Sequence, residues 1–226
     1  MKFYSVLAIV LSLSFIGASN INNNNNDAPT VDPTPENPNN DGNVHILTKN
    51  IDLKQLQGTY YEIATNASDK IFPGLLCRCT KYDFSGLRRD GNSAYMLVNY
   101  ACDRNFIFGE KKSEMLFKLI LNKPVDENTT VVEEFNSSIF AVQGNQQILL
   151  NSNLNIIYAE TNDQNEYEHL IIAGTKSIEP MIILSKYRTV LLETYNKLLN
   201  ALYVAGYDPS LLNWPFILQT DQTFCD

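Results

Sequence analysis

Between residues 59 and 185 the chain is cut into short segments rich in β-branched and aromatic residues, each bounded by turn-forming chemistry. The first covers 59–64, and the second, 79–84, closes on Ser85-Gly86. The third, 94–102, follows Arg89-Asp90-Gly91-Asn92, whose Asp-Gly pair between strand-like runs marks a hairpin. A fourth, 115–121, ends at Asn122-Lys123-Pro124, and others fall at 139–142, 148–150, 156–160, 167–173 and 181–185. Pattern alone leaves the pairing within 125–154 open. About eight antiparallel strands suggest a barrel or a sandwich, and closure into a barrel removes the exposed sheet edges.

After residue 185 the period changes. Leu191, Tyr195, Leu198, Leu202 and Ala205 fall on one stripe of an α-helix, with Glu193, Asn196, Lys197 and Asn200 on other faces. Gly206 stands where a left-handed cap belongs, and Asp208-Pro209 blocks continuation. One apolar helix face is thus available to cover a sheet.

The start of the chain has a different character. Residues 1–19 read as an export signal: Lys2, an apolar run over 6–16, then Gly17-Ala18-Ser19 as small residues for cleavage. Residues 20–45 are Asn- and Pro-rich, with five consecutive asparagines at 22–26 and almost no apolar side chains to offset ordering entropy, and read as a disordered linker. The globular domain then covers 46–226.

Export gives the four cysteines, Cys77, Cys79, Cys102 and Cys225, the meaning of two disulfides. Asn66, Asn128 and Asn136 each open an N-glycosylation sequon. The 17 Lys+Arg against 25 Asp+Glu, a net charge of −8, exclude a nucleic-acid partner that needs a basic face. Two histidines and no third ligand cluster beside Cys77-Arg78-Cys79 argue against a metal site. No cofactor motif is present.

The segment Asp52-Leu-Lys-Gln-Leu-Gln-Gly58-Thr-Tyr60-Tyr61-Glu62-Ile-Ala64 resembles the opening signature of the lipocalins, with Tyr60 where the family usually has Trp. Leu76-Cys77-Arg-Cys79-Thr-Lys-Tyr82 is similar to the second-strand motif of apolipoprotein D-like and bacterial-type members. Met181-Ile-Ile-Leu-Ser-Lys186 resembles the last-strand motif, with Lys186 in place of Arg. The tail 205–210 and 219–225 follows in the family's order, whereas the middle turn is blurred at Thr161-Asn162-Asp163.

The resemblance implies an eight-stranded up-and-down antiparallel β-barrel with one C-terminal helix packed outside. It implies a structural trio of Gly58, Tyr60 and Lys186 at the closed end, with a cation–π contact on the order of 0.5–2 kcal/mol. It implies disulfides Cys77–Cys225 and Cys79–Cys102. It also implies a secreted carrier of a small hydrophobic ligand of the fatty acid, sterol, retinoid, carotenoid or tetrapyrrole class, held in a largely preformed apolar cavity.

Candidate contacts are His169 and, in the apolar loop 66–76, Phe72 and Leu75; the resemblance implies that this loop lies over the mouth, as a lid or a site of transient membrane contact, and a loop tucked onto the barrel is the alternative. Alternation leaves open whether Tyr167, His169, Ile171 and Ala173 or their neighbours face inward. Two other functional classes compete with the carrier. One is a lipid-processing, isomerase-like enzyme, for which no nucleophile elbow, His-Glu-x-x-His or glycine-rich phosphate loop speaks. The other is a glycosylated extracellular protein-interaction module.

Overall fold

The computed structural model describes residues 44–66, 77–91, 93–106, 109–125, 129–175, 181–207, 217–223 and 225. The export signal, almost all of the linker, the loop carrying Phe72 and Leu75, and Asn128 lie outside the described residues. Val44 and His45, assigned by sequence to the linker's end, already belong to the domain. Their N–H groups donate to the carbonyls of Thr175 and Ala205.

Twelve strands and one helix follow among the described residues: β1 (Ile51–Asp52), β2 (Gly58–Asn66), β3 (Cys77–Phe84), β4 (Arg88–Asp90), β5 (Ser93–Phe106), β6 (Gly109–Leu121), β7 (Val131–Val132), β8 (Asn136–Gln143), β9 (Gln146–Thr161), β10 (Tyr167–Ala173), β11 (Met181–Ser185), α1 (Leu192–Val204) and β12 (Ile217–Gln219). Eight of them, β2-β3-β5-β6-β8-β9-β10-β11, pair antiparallel in that order, and β11 returns to β2 to close the barrel. The pattern at 148–150 and 156–160 belongs to one long strand, β9, paired with β8 from Gln143↔Gln146 to Asn136↔Asn155.

Strand alternation sorts the side chains into two cores. Inward residues such as Met96, Val98 and Tyr100 of β5, Phe117 and Leu119 of β6, and Ile182 and Leu184 of β11 fill the barrel. Outward residues Ile63, Ile157, Ile171 and Ile183 lie under α1, against Leu198, Ala201, Leu202 and Ala205. A register shift between Ile171 and Ile172 puts an extra residue of β9 into the pairing. Ile156 therefore joins the inner core while Ile157 joins the outer one, and both are fully buried.

The helix is stopped as its sequence predicts. Gly206 has φ +100°, its N–H donates to the Tyr203 carbonyl, and the Tyr207 N–H reaches back to Leu202, a Schellman closure. Leu191 departs from the expected stripe. It lies just before the first helical residue, in extended conformation, and is exposed.

The base of the barrel is sealed by Ile51, Leu53 and Leu56, all fully buried. β1 pairs with β7, and the Tyr167 hydroxyl accepts the Asp52 N–H at 3.0 Å. At the other end the wall is split. β2 and β3 pair only from Gly58↔Phe84 to Tyr61↔Lys81. Beyond that point β12 takes the place beside β2, pairing Ala64↔Gln219 to Asn66↔Ile217. The Asp221 carbonyl accepts the Cys79 N–H, so the C-terminal tail is wedged between the two strands.

This wedge corrects the disulfide pairing implied by the family resemblance. The bonds are Cys77–Cys102 and Cys79–Cys225. Cys79 has φ +54°, and the register shifts between Arg78 and Lys81, so two residues of β3 oppose one of β5. The bulge reverses the alternation: Tyr82 and Cys77 lie on the inward side with Cys102, while Cys79 turns out to meet the tail. Counting back from Tyr82 along a regular strand puts both cysteines on the outward side.

Candidate ligand-binding interior

The barrel axis is almost full. Tyr82, Phe84, Val98, Phe117, Leu119, Ile139, Leu154, Ile172, Ile182 and Leu184 surround a cavity of about 20 Å³, room for little more than one water molecule. The largely preformed cavity expected from the family is thus absent from this level of the barrel, because aromatic side chains occupy it. Tyr82 and Tyr100 lean together with centroids 5.3 Å apart, and Phe117 meets Tyr100 edge-on at 6.2 Å.

Toward the mouth the inward face stays apolar but loses its cover. Met115, Ala141 and Leu150 are only partly buried against the core. Ile148, opposite Ala141 in the β8–β9 ladder, is 50% exposed. The Cys77–Cys102 bond forms part of the same wall, with the Tyr100 hydroxyl 3.2 Å from Cys77 Sγ.

One acidic side chain faces this apolar interior among the described residues. Glu62 pairs with Leu184, whose side chain lines the axial cavity, and is 1% exposed. Its carboxylate accepts the Tyr82 hydroxyl at 2.8 Å and the Thr220 hydroxyl at 2.6 Å. Burial pushes its pKa up, and the two hydroxyl donors oppose that shift.

Behind it, the Gln222 amide nitrogen bridges the Glu62 and Thr80 carbonyls at 2.9 and 2.8 Å, spanning the split wall. The Gln222 Oε1 and Thr80 Oγ1 atoms are buried with no hydrogen-bond partner. Sequence inspection did not single out Glu62. Its place two residues after Tyr60 was the available signal, since alternation puts both on one face.

Lys186 Nζ stands 4.0 Å from the Tyr60 ring centroid and donates to the Gln57 carbonyl at 3.0 Å. Gly58 has φ +108°, and a Cβ there would come within 2.8 Å of Lys186 Nζ. The Tyr60 hydroxyl faces the carbonyls of Gln55 and Tyr167, each at 3.5 Å. These three residues lie at the closed base, away from the mouth, and are architectural.

His169 is not a cavity residue. In β10 the inward residues are Leu170 and Ile172, while His169 shares the outward side with Ile171 and Ala173. It is 5% exposed, with its ring centroid 6.5 Å from that of Tyr187. Burial lowers its pKa, against the pull of Glu168 and Glu160.

Two of the three sequon asparagines fall within the described residues. Asn66 is 9% exposed, and its Oδ1 accepts the Met181 N–H. Asn136 Nδ2, the atom a glycan would take, donates to Asn155 Oδ1 at 2.6 Å, and its Oδ1 accepts from Asn122. No group of metal-ligating side chains occurs among the described residues.

No family model matches the chain, and no curated protein does. Solved structures align with it at low identity. Lobster apocrustacyanin A1 aligns at 14% identity with a TM-score of 0.48, covering 80% of this chain and 92% of that one. The amine binding protein of Rhodnius prolixus aligns at 12% and 0.48, covering 78% and 83%. The siderocalin Ex-FABP aligns at 13% and 0.42, covering 75% and 95%. The chemistry of the site rests on this chain's own residues.

Proposed function

We propose that this chain is an exported carrier, related to the apolipoprotein D-like lipocalins, that takes a small hydrophobic, lipid-like ligand into the mouth-side half of its barrel. The observation that carries this reading is the inward apolar face that continues past the filled axis to a partly exposed Ile148. Removing such surface from water is worth roughly 25 cal/mol per Å². The ligand would rest on the Tyr82–Tyr100–Phe117 layer and lie against Met115, Ala141 and Leu150.

Two disulfides suit an oxidising compartment, and they use all four cysteines, leaving a thiol-dependent lipid-processing enzyme no nucleophile. Among the described residues no helix is long and apolar enough to cross a membrane. Transient membrane contact by the loop around Phe72 and Leu75 belongs to the same proposal.

Purification from the native source, organic extraction and mass spectrometry should recover a hydrophobic small molecule in stoichiometric amount. Ile148→Glu, at an exposed position that folding tolerates, should weaken uptake of a neutral fluorescent probe about tenfold. An empty barrel whose probe affinity ignores Ile148→Glu would overturn the reading.

A further inference from the structure

Pairing in the barrel wall runs out along β9. β8 accompanies this strand from Asn155 to Gln146, but β10 reaches only to Asn155, where it meets Ala173. Among the described residues no strand pairs with the other side of 146–154. The β8–β9 hairpin therefore stands past the end of β10 as a flap with one bare strand edge.

The polarity of that edge follows from the hairpin. In an antiparallel ladder alternate residues turn their N–H and C=O away from the partner strand. Gln143 and Gln146 flank the two-residue turn Gly144-Asn145, with Gly144 at φ +59°, so Leu149 is one whose main chain faces the open side. Two extra residues of β9, Asn151 and Ser152, bulge the strand after Leu150 and leave 146–150 as its straight part.

Soluble proteins blunt such edges with lysine, proline or inward-pointing charge. This edge carries none of these. No charged residue and no proline occurs from Phe135 to Ala159, in a chain of net charge −8. Ile148 on the inner face and Leu149 on the outer are 50% and 52% exposed.

The same chemistry selects the occupant. A second copy of this chain brings the same net negative charge, and the repulsion is weakest across a hairpin that has none. The edge is also complementary to itself. Antiparallel pairing about Leu149 sets Leu149 against the second copy's Leu149 on the outer face and Ile148 against the second copy's Leu150 on the inner. Phe140 and Ala141, opposite Leu149 and Ile148 in β8, extend these apolar rows. A register about Ile148 would instead set Leu149 and Leu150 against glutamines.

We propose that this chain forms a two-fold dimer by antiparallel pairing of the β9 edges about Leu149, joining two barrels through one continuous sheet at their mouths. The contact is isologous and closes at two copies. It goes beyond the carrier reading and does not depend on it. A pairing of so few residues is smaller than a standard interface, which sets the dimer among transient assemblies with a Kd on the order of 10 μM.

Sedimentation velocity of the full chain from about 1 to about 200 μM should show a monomer passing into a dimer. Leu149→Lys sets like charges against each other at the two-fold and should raise Kd at least about tenfold, while Leu149→Ile should keep it within about threefold. Hydrogen exchange of the wild type needs no variant: over 146–150 it should slow about fivefold between those concentrations, because the Leu149 N–H gains an acceptor.

A chain that stays monomeric at about 200 μM, with exchange over 146–150 independent of concentration, overturns the proposal and leaves the edge to a strand of another protein. A dimer that survives Leu149→Lys unchanged, or that protects other amides instead, uses a different face and overturns it too. Species larger than a dimer would mean open-ended strand addition in place of the closed pair.

Discussion

Lys186 Nζ touches two partners at the closed end of the barrel: it lies 4.0 Å from the Tyr60 ring centroid and 3.0 Å from the Gln57 carbonyl oxygen. The last barrel strand is thereby tied to the turn that precedes the first. Lys186→Ala should lower stability by about 1–2 kcal/mol in chemical denaturation, combining a cation–π contact with a charge-assisted hydrogen bond. Lys186→Arg should retain most of that stability, since a guanidinium also stacks on an aromatic ring. A wild-type midpoint for Lys186→Ala would show the contact to be neutral.

The disulfide assignment is open to direct chemistry. Proteolysis without reduction should yield peptides joining Cys77 to Cys102 and Cys79 to Cys225. The sequence separations are 25 and 146 residues. In the chain-entropy account the longer loop is worth about 5 kcal/mol and the shorter about 3.5 kcal/mol. The double variant Cys79→Ser with Cys225→Ser should therefore lose more stability than Cys77→Ser with Cys102→Ser.

Glu62 makes stability depend on pH in an unusual direction. Its folded-state pKa is raised above the ordinary 4.5 by burial, so between those two values the folded protein binds more protons than the unfolded chain. Stability should fall as pH rises through that window and stay low above it. Glu62→Gln removes this term, so its Tm should exceed the wild type's near neutrality, and the gap should close toward pH 4.5. A Glu62→Gln protein with no gain at neutral pH would contradict this.

Gly206 adopts φ +100°, a conformation that a Cβ disfavours by roughly 1–2 kcal/mol. Gly206→Ala should cost about that amount, read as a shift in urea midpoint without a change in slope. Binding of a neutral probe should be unaffected, because α1 lies outside the barrel.

Local chemistry made much of the fold legible. Strands at 167–173 and 181–185 coincide with β10 and β11, and the Leu198–Leu202–Ala205 stripe is the buried face of α1. What escaped is where alternation breaks. The bulge at Cys79 reverses inside and outside for Cys77, and no residue type in Arg78-Cys79-Thr80 announces that φ is positive there.

His169 follows another such break: the β9–β10 register shifts between Tyr167 and His169, so Tyr167 joins the inner core while His169 shares the outer side with Ile171 and Ala173. Both faces of the strand are apolar because both are buried, one by the barrel core and one by α1. Glu62 was readable from its parity with Tyr60, but its partners Thr220 and Gln222 come from the tail about 160 residues later. Periodicity carries no information on that contact. The wedge itself has no signature, since Ile217–Gln219 is too short to mark as a strand.

Because the tail forms part of the wall, the order of synthesis matters. A ribosome delivers β2 and β3 first and Ile217–Cys225 last, so the slot beside Glu62 stands open while almost all of the chain is already made. Until it closes, the far half of β2 offers an unpaired edge on which another chain can add. An early stop codon upstream of Ile217 would leave it permanently exposed.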